Sequence, residues 1–590
     1  MKSKDINTLL SMKYNLFQNF YIIGYSLSDF YSSKTKNIYT FQDIFTDSLN
    51  VKLNPKLISK FPSSIKNINS IPDDLVISHC FPNGLKILNN PFLISQLTYF
   101  EFNLENIPAN YTEEDKFLYS KIYFNCLEFY EPLSQYLKLK KEILSQSTKN
   151  KIQIEPDKTS KENLDIKNYY LPKIICFASL FPYSNEIKEI LYNIYNFYRN
   201  NIITDNNNIN NLLSIEKLVE QIIMKTPLPF SSNAQTIISF KLNNIKKNIQ
   251  SIDKIKFPVY NLKESYIKNY TTISFGELFN YFSTEDIMKI FKYIILEIPL
   301  LFFCKNKNVL SLFIDNFISL LNPFCYVLPH ISLLPYELYG LINSEQKFIF
   351  GINEEYSKTF FEDNNIDLDK SIVIVQLNHL KKNESKIIEI IKNIEAEECL
   401  VINEKIKQKE NDKNTEENIF FNNQYINLLN IELPSKAKKK AISKMNNLIT
   451  LIKKKGDLSD IKYLYEQKFN YHIQHIFFKF FIYLMAGYTD YLLKSKFFSF
   501  NIKNKDNGEN IRFKNTDEDF IKEIFNLNEF ILSKSKDELF YIAFCKTKLF
   551  FNFFREKIYS NNALNKVRYE LFDEFIFLKK HKDFRKKKRK

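Results

Sequence analysis

Leu171 to Tyr195 reads LPKIICFASLFPYSNEIKEILYNIY. Its first part, Ile174 to Leu180, is a continuous apolar run of strand length, the pattern of a strand buried on both faces. Phe181-Pro182 ends the run. The residues from Asn185 onward place apolar side chains at helical spacing. A buried strand feeding a helix is the βα pattern of a covered sheet, so this stretch predicts an α/β protein.

Upstream, Phe20 to Ile23 is a β-prone run ended by Gly24, a strand followed by a turn. Leu75 to Ser78 and Leu97 to Leu104 also read as strands, and Tyr119 to Phe129 fits either strand or helix. Downstream, Leu218 to Met224 reads as a helix stopped by TPLP. Ser283 caps a helix whose first turn holds Glu285 and Asp286. Val309 to Leu321 is an amphipathic helix, Ile372 to Val375 (IVIV) a final buried strand, and Asn470 to Phe554 helical and strongly aromatic. Lys141 to Asn168, Asn200 to Asn211, Leu380 to Asn418 and Asn501 to Asn515 are polar and read as loops or insertions. Only eight glycines occur, so Asn, Lys, Ser and Pro mark the loops instead.

At 590 residues the chain exceeds one ordinary domain and suggests two to four. A 45% hydrophobic share, with 16% aromatic, is enough for a large core and excludes global disorder. Lys far exceeds Arg, and Asn and Ile abound, as AT-rich coding produces. Runs of Lys or Asn therefore carry little functional weight by themselves. The net charge of +15 is uneven: residues 579–590 (KKHKDFRKKKRK) hold nine Lys or Arg and one Asp. Arg585, Lys586, Lys587, Lys588, Arg589 and Lys590 form its densest part. Three readings fit this tail: a solvated end, an electrostatic foothold on anionic lipid, or a nuclear-import signal. The preceding LFDEFIFL (Leu571 to Leu578) offers apolar bulk for insertion at a membrane interface.

The seven cysteines are scattered singly, with no CxxC pair, and most lie in apolar runs as small buried hydrophobes. An odd count without a signal peptide fits a reducing cytosol. The most apolar stretch, Tyr293 to Phe303, is too short to span a bilayer and is interrupted by Glu297 and Pro299. A cytoplasmic protein, peripheral on endomembranes at most, is expected. No Gly-rich phosphate cradle, metal cluster or catalytic triad is present, so no catalytic residue, metal or cofactor is assigned.

A set of Pro- and aromatic-punctuated fragments resembles a DENN domain. The upstream fragments are Phe20 to Gly24, Phe61-Pro62, and Pro72 with Cys80-Phe81-Pro82-Asn83-Gly84. Pro172-Lys173, Cys176, Ser179 and Phe181-Pro182 form the best central match. Glu216, Pro227-Leu228-Pro229, Leu278-Phe279, Ile287, Leu296-Glu297 and Leu301 follow. Leu320 to Leu338 and Phe348 to Gly351 complete the central part, and Tyr483, Gly487-Tyr488 and Lys546 to Phe554 resemble the helical downstream part. The resemblance implies a two-lobed α/β module. One lobe is a longin-like antiparallel sheet at 14–135. The other is a larger α/β sheet module at 165–378, with a helical downstream part at 470–560. An insertion at 379–469, partly disordered, and a basic tail at 571–590 complete the organisation. Where the family often carries an acidic strand end, this chain has Val375-Gln376-Leu377-Asn378.

By the same resemblance the partner is a Rab-type small GTPase, held across both lobes by its switch regions, and the activity is guanine-nucleotide exchange in membrane trafficking. Exchange makes and breaks no covalent bond. A partner that binds displaced switches weakens nucleotide and Mg²⁺ by linkage. The alternative is a non-catalytic effector or scaffold. GTPase activation through an arginine finger is disfavoured, because the first arginine is Arg199. Nucleic-acid binding would rest on the tail alone and is not expected. Candidate GTPase contacts are Asp73 and Asp74, read as a loop before a strand; Lys173 at a strand edge; and Pro335, Tyr336 and Tyr339 in a turn after an apolar strand. Core packing is the competing reading for the Pro335 segment, and solvated surface for the acidic pair. His472 and His475 share a helix with no third metal ligand in view.

Overall fold

A computed structural model describes residues 15–25, 52–62, 71–89, 96–105, 121–132, 169–181, 183–204, 218–224, 226–228, 237–238, 255–257, 275–357, 359–366, 371–378, 380–381, 384–390, 399–405, 421–454, 462–493, 517–559 and 569–580. The chain divides into two units, Met1–Asn261 with Tyr270–Thr272, and Leu262–Asn269 with Ile273–Lys590. The tail residues Arg585 to Lys590, and the polar segments 141–168 and 501–515, lie outside the described residues.

The first unit contains, in chain order, β1 (Phe17–Gly24), β2 (Lys56–Phe61), α1 (Asp73–Cys80), β3 (Thr98–Glu105), β4 (Lys121–Pro132), β5 (Tyr169–Ser179) and α2 (Ser184–Thr204). The strands form an antiparallel sheet in the order β2-β1-β5-β4-β3. β5 is central, and nine of its eleven residues are buried, which fits its unbroken apolar sequence. It feeds α2 as its sequence predicts, but both of its long neighbours run antiparallel to it. Tyr119 to Phe129 resolves as strand. Cys126 and Cys176 face each other in register across β4 and β5, with their Sγ atoms 3.0 Å apart and Cys80 Sγ 3.8 Å from Cys126. Burial pushes the Cys126 and Cys176 thiols up, so they stay protonated and pack as small apolar groups.

Leu75 to Ser78 is not a strand but the middle of α1. Pro72 stands at the helix start, and Asp73 and Asp74 occupy the first turn, where carboxylates meet the positive end of the helix dipole. Val76, His79 and Cys80 are buried at helical spacing. The β-prone Leu75-Val76-Ile77 is too short a window to reveal that period.

In the second unit, α3 (Thr284–Ile295), β6 (Leu300–Phe303), α4 (Lys307–Ser319), β7 (His330–Ile331), β8 (Ile349–Ile352), β9 (Ile372–Gln376) and β10 (Lys386–Ile390) build the sheet and its cover. The strand order is β7-β8-β6-β9-β10, parallel except for β10. Ser283 and Asp286 form the capping box expected for α3. β9 is not the final strand. Within the stretch read as a polar loop, Lys386–Ile390 pairs antiparallel with it, because Ile388 and Ile390 pack on the core of the sheet and Glu389 is taken up by the Tyr293 hydroxyl and by Lys289 at 2.6 Å. A hairpin of Cys399–Lys405 and Phe421–Asn427 follows, then α5 (Ser435–Lys454), α6 (Lys462–Leu484), α7 (Lys548–Tyr559) and α8 (569–580).

An aromatic cluster binds these helices. The Phe324 ring lies 4.6 Å from Phe481, 4.7 Å from Phe553 and 6.4 Å from Phe572. LFDEFIFL is therefore part of the core and not a free membrane-inserting segment, because Phe572 and Ile576, one helical turn apart, are buried. Phe577 and Leu578 alone of this stretch's large apolar residues stay strongly exposed.

Glu297, buried between α3 and β6, accepts the backbone N–H groups of Lys548 (3.0 Å) and Leu549 (2.7 Å) at the start of α7. Replacing it by Ala should lower the unfolding free energy by about 3 kcal/mol. Glu297→Gln should cost less because its amide oxygen still accepts, and urea unfolding checks both. A pH dependence is expected from Glu186 in the first turn of α2, where burial pushes its carboxyl up to about 7. A carboxyl raised in the folded state contributes stability below its ordinary pKa and loses it as pH climbs through the raised one. Between about pH 5 and about pH 8 the wild type should lose about 2–3 kcal/mol relative to Glu186→Gln, measured by paired urea titrations.

Candidate functional site

In an open sheet of parallel strands, binding surfaces form at the carboxyl ends of the strands. In the second unit that edge carries the segments after β7, β8, β6 and β9, in that spatial order. After β7, Ser332 to Pro335 leads into a 3-10 helix, Tyr336–Asn343. Pro335 is buried. Tyr339 is buried too, its hydroxyl donating to Glu354 Oε1 (3.4 Å) in the loop after β8. Burial, with Glu354 beside it, pushes the Tyr339 hydroxyl pKa up, so it stays protonated. Tyr336 is 47% exposed and its ring lies 5.3 Å from that of Tyr339. The sequence-predicted trio is thus one buried pair that presents one exposed ring.

The rest of this edge is held by its own polar side chains. Asn353 Nδ2 donates to the carbonyls of Cys304 (3.0 Å) and Lys305 (2.8 Å), joining the loops after β8 and β6. Lys305 pairs with Glu355 at 3.0 Å. Asn378 Oδ1 accepts the backbone N–H groups of Leu380 (3.2 Å) and Lys381 (2.9 Å), which fixes a turn and leaves Leu380 82% exposed. Asn378 occupies the strand end where the family often has an acidic group. Leu341 is exposed as well, and sequence reasoning missed both Leu380 and Leu341. Leu380 had a signal, an Asx-turn residue two positions before a lone apolar one.

Gly351 permits the close approach of β7 and β8. A Cβ there would stand 2.1 Å from the Ser332 carbonyl oxygen and 2.9 Å from Ile314 Cδ1. Its own carbonyl accepts from Leu334 N at 2.7 Å, which seats Pro335 and the 3-10 helix.

In the first unit, Asp73 Oδ1 accepts from Lys60 Nζ at 2.7 Å, and that ammonium lies 5.3 Å from the centroid of the Tyr21 ring. Asp74, beside it, is exposed. Lys173 lies elsewhere, on β5, where its ammonium meets Glu131 Oε2 at 2.7 Å and the Tyr198 hydroxyl at 3.2 Å, with both charged side chains largely buried. It ties β5, β4 and α2 together. Arg199, the sole arginine of this unit, is exposed on α2, and Arg555 is exposed on α7. His475 on α6 makes no hydrogen bond through Nδ1, and burial, followed by the charges of Lys479 and Lys444, holds its pKa down to about 4. Among the described residues no helix is long and apolar enough to cross a membrane.

Residues 170–380 match the DENN (AEX-3) domain, and the chain carries that domain. The match starts at the head of β5 and ends at Leu380, so it covers the parallel sheet and its exposed edge. DENN domains are a family of exchange factors for Rab GTPases. Among curated proteins, none matches this chain.

Two substitutions separate support from surface. Gly351→Ala should lower stability by about 1–3 kcal/mol through overpacking against Ser332 and Ile314, read by urea unfolding. Lys173→Met should cost about 3–5 kcal/mol by stranding Glu131 in the interior. A Lys173→Met/Glu131→Leu double variant that stays as unstable as the single one would show that the pair is not what Lys173 serves.

Proposed function

We propose, from the DENN domain at residues 170–380, that this protein promotes GDP release from a Rab-type small GTPase. The supporting observation is the exposed apolar edge of the matched sheet, with Tyr336 and Leu341 on the 3-10 helix after β7 and Leu380 on the Asn378 turn, each segment already hydrogen-bonded and therefore pre-organised. An aromatic ring on a rigid base is the usual centre of binding energy at a protein interface. Asp73 and Asp74 are the proposed contact of the first unit for a basic switch residue, with Lys60 orienting Asp73. Pro335 and Tyr339 seat Tyr336, and Lys173 braces β5. Exchange follows from linkage. A surface that binds the switches in a displaced shape weakens nucleotide by the factor by which nucleotide weakens the surface. No side chain has to transfer a proton or form a bond.

Release of fluorescent GDP from a panel of Rab GTPases, at equal Mg²⁺, tests this. Acceleration of one or two members is expected. Tyr336→Ala with Leu380→Ala should slow it by about 30-fold, the cost of losing an interface hot spot. Asp73→Asn with Asp74→Asn should slow it less, since exposed charges act mainly on encounter. Binding restricted to a GTP-loaded member without acceleration would make the protein an effector. Faster GTP hydrolysis would point instead to an arginine such as Arg199 or Arg555.

A further inference from the structure

α5 carries seven lysines and no acidic residue. Lys436, Lys440 and Lys444 stand at i, i+4 and i+8 and form one stripe. Like charges at that spacing repel, and cations in a first turn oppose the helix dipole. Lys438 is compensated by Glu432 at 3.1 Å and Glu285 at 3.7 Å. Among the described residues, Lys436, Lys439 and Lys444 have no ion-pair partner. AT-rich coding explains many lysines, but not their concentration on one helix without a single carboxylate.

Two further helices add to the same charge. Lys440 hydrogen-bonds the Tyr483 hydroxyl on α6 and lies 4.5 Å from that ring's centroid, while Lys579 of α8 lies 3.4 Å from it. One ring therefore gathers cations from two helices. Burial lowers the His475 pKa first, and the charges of Lys479 and Lys444 beside it add to that shift. Immediately before Lys579, Phe577 and Leu578 are 59% and 46% exposed. After α8 the sequence continues as HKDFRKKKRK.

We propose that the Lys436–Lys440–Lys444 stripe and the adjoining Lys439, with Lys579 and the exposed Phe577 and Leu578, dock the protein on an anionic phospholipid surface. Cations beside a projecting apolar pair match a layer of phosphates above acyl chains. A nucleic-acid backbone would use the cations but has no apolar layer for Leu578. This surface is independent of nucleotide exchange, so it stands or falls without any GTPase.

Co-sedimentation of the full chain with phosphatidylcholine vesicles, with and without phosphatidylserine, tests the proposal. Binding should require phosphatidylserine and weaken with salt. At about fivefold per cation, Lys436→Glu/Lys439→Glu/Lys444→Glu should bind roughly hundredfold more weakly. Its thermal midpoint should hold or rise, because Lys436→Glu places an acid in the first turn of α5 and the three changes relieve like-charge repulsion along the helix. Phe577→Ser/Leu578→Ser should also weaken binding while leaving its salt dependence in place. Undiminished binding by the triple variant would overturn the proposal, and so would equal binding to neutral vesicles. Loss of binding only on truncation after Lys580 would assign the lipid contact to the tail alone. Capture of duplex DNA or RNA without vesicle binding would make the face a nucleic-acid surface.

Discussion

Glu297 leaves α3 with a φ of 55°, a left-handed value that costs a residue with a Cβ about 1–2 kcal/mol. That turn delivers its carboxylate to the buried start of α7. A helix start leaves four N–H groups without partners, and burial makes each costly. Glu297 accepts from Lys548 and Leu549, Thr547 Oγ1 accepts from Phe550 N at 3.2 Å, and the Thr547 N–H donates to the Phe544 carbonyl at 3.1 Å. All four donors are satisfied, two of them by a residue 251 and 252 positions away. Burial raises the Glu297 carboxyl, and the hydrogen bonds it accepts act in the opposite direction. The carboxylate would be costly there without α7, and α7 without it.

Much of the second unit follows from that contact. α7 carries Phe553 onto Phe324, and it carries Lys557, whose ammonium bonds Asp573 of α8 and the Tyr488 hydroxyl. Burial lowers the Lys557 pKa and Asp573 opposes that shift, so the ion pair depends on α8 staying in place. α8 in turn sets Lys579 against Tyr483 and leaves Phe577 and Leu578 outside. A single buried carboxylate thus connects the sheet of the DENN domain to the helices that bear the basic face.

The exposed edge of the sheet uses a different economy. Its loops are held by amide side chains, Asn353 and Asn378, which satisfy backbone groups without adding charge. Apolar residues can then project from a firm base, as a surface for a shaped protein partner requires. Lys305 and Glu355 beside them are exposed, and their pairing contributes little to stability.

Several features were legible without coordinates because their signals are short-range. The unbroken run in β5, the Ser283 and Asp286 box and the aromatic spacing from Asn470 to Phe554 each declare their element within one or two turns. The readings that failed were of two kinds. Leu75 to Ser78 looked like a strand, although Pro72, Asp73 and Asp74 already marked a helix start. KIIEI and LFDEFIFL were judged by the polar residues around them, and both are integrated by distant partners, β9 for the first and Phe324 for the second. The sequence by itself determined the α/β class, the passage from β5 into α2 and the resemblance that the match at 170–380 bears out. Only the tertiary structure decided which charges are consumed and which are displayed. Lys173 is spent on Glu131, Glu297 on α7, and Lys436 and Lys444 on nothing within the described residues. Periodicity reports on neighbours in the chain, while the fate of a charge depends on what the fold brings to it from far away.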